Sequence, residues 1–132
     1  MVATETAAAS VIAIVDDDFR ILESLENLLE SAGYAVSIFP SGEAFLQSQA
    51  VTKVSCLVTD IRMPNVDGLE LHRRVKQRRP DLPVILMTAH FDEGVERRAL
   101  EAGAAGFLRK SFSGSEFLRT IRHALAEPLA GR

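Results

Sequence analysis

Two hydropathic patterns alternate along the chain. Short, mostly apolar runs occupy residues 11–15, 35–39, 54–60, 84–87 and 106–109. Between them, apolar residues recur every three or four positions, as on one face of a helix. The first run is apolar throughout, the mark of a strand covered on both faces, whereas Ser37 interrupts the second and suits a less buried edge strand. After the first run, Ile21, Leu22, Leu25, Leu28, Leu29 and Ala32 line a helical stripe, with Asp18 as its N-cap and Gly33 as its stop. Pro40-Ser41-Gly42 turns into a short helix over 43–49, carried by Ala44, Phe45 and Leu46. Asp67 opens a helix over 69–78, and Asp92 to Ala102 form another that Gly103 closes. Ser113 to Glu116 fit a capping box for a last helix on Phe117, Leu118, Ile121, Ala124 and Leu125, expected to stop at Pro128.

Strand and helix therefore alternate five times. This order predicts an α/β fold, a doubly wound five-stranded parallel sheet of the flavodoxin-like (βα)5 kind, with right-handed crossovers and helices on both faces. The 132 residues are enough for one domain, expected over 11–127, with a disordered tail at 1–10 and a C-terminal tail or linker start at 128–132. A content of 47% hydrophobic and 25% charged residues is that of a globular protein, and a net charge of −3 gives no basic footprint for direct nucleic-acid binding. The N-terminus lacks the basic and apolar regions of a signal peptide, and no apolar run is long enough to span a membrane. A cytoplasmic location is expected. The lone Cys56 lies within an apolar run and reads as a buried thiol. The basic run Arg73, Arg74, Lys76, Arg78 and Arg79 reads as a solvated helix face, and His72 and His123 as surface residues.

Chemistry collects where the strands end. Asp16 and Asp17 follow the first run, Asp60 ends the third, Thr88 follows the fourth and Lys110 follows the fifth. With strand order 2-1-3-4-5 these side chains converge at one sheet edge, where open α/β sheets bind ligands. Carboxylates about 4 Å apart repel by about 4 kcal/mol per pair at an effective dielectric of 20. A hard cation such as Mg2+, taking oxygen ligands and keeping some of its water, relieves that repulsion. Lys110 and Thr88 then remain to hold phosphoryl oxygens.

In order and spacing, Asp16-Asp17, Asp60 with the Met63-Pro64-x-x-Asp67-Gly68 turn, Thr88-Ala89 and Lys110 resemble the receiver domain of bacterial two-component response regulators, the CheY-like family. The resemblance spans about residues 11–126. It implies that Asp60 accepts a phosphoryl group from a phosphohistidine on a sensor histidine kinase. Asp16, Asp17, Asp60 and the backbone carbonyl of Arg62 would bind Mg2+, Lys110 would pair with the phosphoryl group, and Thr88 would bond it. Phe107 would be the switch aromatic, Ala89 must be small, and output with homodimerisation would use the fourth helix, fifth strand and fifth helix, where Arg97, Arg98 and Glu101 are candidate contacts. Asp60-Ile61-Arg62-Met63-Pro64 and Thr88-Ala89-His90 look like the FixJ type, in which a DNA-binding domain usually follows the receiver; none follows before Arg132. One position departs from the family. Lys110 precedes Ser111 in place of the usual proline, whose cis bond aims the lysine, and a cis bond before serine costs roughly 2.5 to 4 kcal/mol. A trans bond is expected, with Lys110 sitting farther from Asp60 or moving more in the unphosphorylated state.

Three other readings fit the chain less well. A phosphohydrolase with Asp60 as nucleophile, of the haloacid-dehalogenase kind, needs a second aspartate where Arg62 stands. A flavin binder would meet three aspartates where its phosphate should sit. A phosphorylation-independent interaction module would leave the complete residue set without a use.

Overall fold

A computed structural model describes residues 10–90 and 92–130, with side chains placed as far as residue 126. The expected N-terminal tail falls almost wholly outside the described residues. The strands are β1 (Val11–Val15), β2 (Ala35–Phe39), β3 (Cys56–Asp60), β4 (Val84–Thr88) and β5 (Gly106–Arg109). The helices are α1 (Phe19–Ser31), α2 (Gly42–Gln47), α3 (Gly68–Arg78), α4 (Glu93–Glu101) and α5 (Gly114–Ala130). All neighbouring strands pair in parallel, in the order β2-β1-β3-β4-β5. The expected fold and strand order are those observed.

Alternation along each strand divides the core into two layers. Ile12, Ile14, Cys56, Val58, Ile85 and Met87 face α1 and α5, meeting Leu22, Leu25, Leu29, Phe117, Ile121 and Ala124. Ala13, Val15, Leu57, Val84 and Leu86 face the other way, against Phe45 of α2, Leu71 and Val75 of α3, and Ala99 of α4. Each fully buried aliphatic side chain contributes roughly 1.5–3 kcal/mol of transfer free energy, so both helical layers hold the sheet. Burial pushes the Cys56 thiol up to about 12, as a structural thiol requires.

The caps follow their expected chemistry. Asp18 accepts from the Arg20 N–H at 3.0 Å, Asp67 from Glu70 N–H at 2.9 Å and Ser113 from Glu116 N–H at 3.1 Å. Gly33 and Gly103 follow α1 and α4 at φ 97° and 96°, the left-handed conformation that favours glycine.

Three expectations are corrected. The second helix ends at Gln47 rather than Gln49, because Ser48 is extended, bonds back to Phe45 O and caps a separate 3-10 turn over Gln49–Thr52. The last helix passes Pro128 and continues to Ala130. Proline withdraws its own N–H and crowds the carbonyl four residues back, which disfavours a helix running through it without forbidding one. The basic run is also more than a solvated face. Arg78 donates to Leu46 O, Arg79 to Val51 O and Val54 O, and Lys76 to Pro80 O, so these cations tie loops to α3.

Candidate functional site at the strand ends

Each strand delivers its polar residue at its C-terminal end, and the register decides which of them meet. β1 and β3 are neighbours, with Val15 opposite Thr59, so the residues that follow, Asp16 and Asp60, share one edge. Asp16 is fully buried, Asp60 nearly so, and Asp17 is exposed. One carboxylate oxygen from each of Asp16, Asp17 and Asp60 lies within 4.8 Å of the other two. Lys110 arrives from the end of β5, where its N–H bonds to Thr88 O at 2.8 Å. Its Nζ lies 2.8 Å from Asp16 Oδ2 and 3.3 Å from Asp60 Oδ1, an ammonium bridging two carboxylates.

The electrostatics of the cluster are strained in the direction that invites a cation. Burial raises the Asp60 carboxyl above its ordinary range, and the neighbouring Asp16 charge adds to this, while Lys110 opposes both. For Lys110, burial works against the charge, but the close Asp16 carboxylate and then the Asp60 carboxylate outweigh it and hold the ammonium above its usual value. Asp16 Oδ1 accepts from the Asp18 N–H at 2.9 Å, whereas the buried Asp16 Oδ2 meets the ammonium without a well-aligned hydrogen bond. Three hard carboxylate oxygens, one of them under-satisfied, fit a divalent cation.

The other predicted residues stand at varying distance from this pocket. Thr88 lies one position beyond Met87, the register partner of Asp60, and is buried. Its hydroxyl is engaged with its own loop, donating to His90 O and accepting from His90 N–H, each at 3.1 Å. Arg62 is exposed, two residues past Asp60 in the loop that carries Met63 and Pro64. Phe107 pairs with Leu86 across the β4–β5 register and is half-buried against the layer of α2, α3 and α4. Among the described residues no peptide bond is cis, so Lys110-Ser111 is trans as expected. Lys110 nevertheless reaches both carboxylates, against the expectation that it would sit farther from Asp60.

Two residues carry more than their sequence reading assigned. Gly68 does more than turn the chain: its N–H bonds to Ile61 O at 2.8 Å. A β-carbon there would overlap the Asp60 carbonyl oxygen and lie 2.7 Å from Ile61 Cα, so only glycine lets α3 start against the Asp60 backbone. His72 is the clearer correction, because it is buried at 2% exposure and not on the surface. The signal was present: the buried residues Gly68, Leu71, His72 and Val75 follow one helical stripe. His123, in contrast, is exposed.

Comparison with known proteins agrees with this geometry. Residues 12–122 match the family model described as the response regulator receiver domain. The chain is 38% identical over 119 residues to the transcriptional regulatory protein FixJ of Bradyrhizobium diazoefficiens, covering 89% of this chain and 58% of that protein. It is 39% identical over 117 residues to the response regulator protein TodT of Pseudomonas putida, covering 89% of this chain and 52% of that protein. The chain thus spans about half the length of these curated relatives. A receiver domain crystal structure from Clostridium thermocellum superposes with a TM-score of 0.86 at 26% identity, over 93% of this chain and 99% of that one. Among the described residues, no helix is long and apolar enough to cross a membrane. The acidic pocket, the sheet order and these matches together place the chain in the response regulator receiver domain family, the signalling phosphoacceptors of two-component systems.

Proposed function

We propose that Asp60 is the phosphoacceptor and that its donor is a phosphohistidine on a sensor histidine kinase. The observation that carries this reading is the Lys110 ammonium set between Asp16 and Asp60 inside a three-carboxylate pocket. An Asp60 carboxylate oxygen attacks phosphorus and the P–N bond breaks. The electron pair stays on the imidazole, which takes up a proton, and an acyl phosphate remains on Asp60. Phosphoryl transfer depends mainly on positioning and on positive charge near the equatorial oxygens. Lys110 supplies one such charge, and to reach a phosphoryl oxygen it exchanges its contact with Asp60. Asp16, Asp17, Asp60 and the Arg62 carbonyl would hold Mg2+, which when bound neutralises the carboxylates and the transferred group.

After transfer, Thr88 gives up its bonds to the His90 backbone and turns to the phosphoryl group, and Phe107 follows inward. The face made by α4, β5 and α5 carries the output, including homodimerisation, with Arg97 and Glu101 in that contact, whereas the candidate Arg98 faces the helix before it. Phosphorylation shifts an existing equilibrium between two arrangements of this face. By analogy with the transcriptional regulatory protein FixJ, the output this domain controls is transcription.

The test is acetyl phosphate with Mg2+, followed by intact-mass analysis. One phosphoryl group adds to the native chain and none to Asp60→Asn; an unchanged increment in that variant, or with chelator present, overturns the reading.

A further inference from the structure

We propose that the groove between α3 and α4 binds a small amphipathic anion: an apolar body with a carboxylate head and a second hydrogen-bonding group. Leu69, His72, Arg73 and Lys76 of α3 face Arg98 of α4 and its cap residue Ala102 across a cavity of about 380 Å3. That size lies in the range of roughly 300–1,000 Å3 typical of small-molecule sites. Its wall is mostly carbon, supplied by Leu69, Ala102 and the methylene stems of the three long cations.

Charge complementarity selects the occupant. Three lining side chains end in positive charge and none in a carboxylate. Arg73 is already paired with Glu70 at 2.7 Å, and Lys76 is bonded to Pro80 O at 3.1 Å. Arg98 is exposed and makes no ion pair among the described residues, so its guanidinium is the group available to a carboxylate.

An independent observation comes from His72. Its Nε2 is buried and has no hydrogen-bond partner, one of two such side-chain atoms among the described residues. The other, Asp16 Oδ2, has the Lys110 ammonium beside it. Buried polar atoms are nearly always bonded, and one left unpaired at the wall of a groove is a place for a ligand atom. His72 lines the groove, and for its buried Nε2 to pair with a ligand there the ring must turn about Cβ–Cγ. A ligand with its head on Arg98 and a hydroxyl at the far end of an apolar body meets both groups.

The probe is 4-hydroxybenzoate, titrated into the unphosphorylated 132-residue chain without Mg2+ and followed by 1H–15N correlation spectra. Saturating shifts are expected at amides of Leu69 to Lys76 and Arg98 to Ala102, with a dissociation constant on the order of 1 mM. Arg98→Gln weakens binding by about tenfold. His72→Leu, which replaces the unpaired nitrogen by carbon in a folded core, weakens it while the thermal midpoint holds or rises. Uncharged 4-hydroxybenzyl alcohol gives no saturable shift. Non-saturating shifts, shifts centred elsewhere, equal binding of the alcohol, or unchanged affinity in Arg98→Gln would each overturn the proposal. Because no phosphodonor is present, none of these outcomes bears on the role of Asp60.

Discussion

Lys110 is held closer to Asp16 than to Asp60, at 2.8 Å against 3.3 Å, although Asp60 is the residue it is proposed to serve. The lysine neutralises the more deeply buried of the two carboxylates. Removing it leaves Asp16 charged, buried and unpaired, a situation that typically costs about 3–5 kcal/mol. Lys110→Met is therefore expected to lower the urea midpoint strongly, and added Mg2+ to restore more stability to this variant than to the native chain. Equal Mg2+ effects on both proteins would contradict the bridging role.

Asp60 shows the opposite balance. Its folded pKa is raised above the ordinary 3.8 by burial and then by Asp16, so the folded state holds this proton more tightly than the unfolded state. Over the window from the ordinary value up to the raised one, native stability falls as pH rises, and the loss is complete above the raised value. Asp60→Asn has no charge to bury and leaves Lys110 with Asp16. In metal-free buffer it is expected to melt above the native chain at pH 7, with the difference shrinking as pH falls toward 4. A difference independent of pH would refute the account.

Gly68 sits where a β-carbon would strike the Asp60 carbonyl. Both colliding partners are backbone, so neither can swing aside as a side chain would. Gly68→Ala is expected to cost about 1–3 kcal/mol and to slow acetyl phosphate labelling by displacing Asp60. Denaturant curves and labelling rates read the two effects separately.

Phe19 begins α1 beside the acidic pocket and is 66% exposed, a large apolar side chain facing solvent next to the proposed chemistry. A protein donor can cover it and a small donor cannot. Phe19→Ala is expected to reduce transfer from the cognate kinase by about tenfold, the effect of an anchoring aromatic, while acetyl phosphate labelling is unchanged. A parallel loss with both donors would place Phe19 in the folding of α1 instead.

The sheet was legible because its signals are local. Uninterrupted apolar runs such as residues 84–87 and capped helices such as the one Asp67 opens declare themselves over a few residues. The acidic cluster was legible because strand order and strand ends together fix which side chains meet. What escaped depended on contacts across the fold. Ser48 splits one helical stretch into two through its own backbone conformation, which periodicity does not register. The arginines at the end of α3 find carbonyl partners as far as 32 residues earlier in the chain. His72 lay in the buried stripe of its helix, but its polarity argued for the surface. The reach of Lys110 from a trans peptide depends on the path of the whole β5–α5 loop, and not on the residue that follows the lysine.

The order of the strands also bears on how this protein comes off the ribosome. β1 and β3 are direct neighbours and can pair once the third strand has emerged, drawing Asp16, Asp17 and Asp60 together, and β4 adds next. At that stage Lys110 is still unmade or inside the exit tunnel, and the nascent chain holds three converging anions with no internal counter-charge. Its sheet edge beside β4 is also unpaired until β5 arrives. The last strand therefore brings the counter-charge of Lys110 to the cluster and covers the open side of β4, leaving β5 itself as the edge of the sheet.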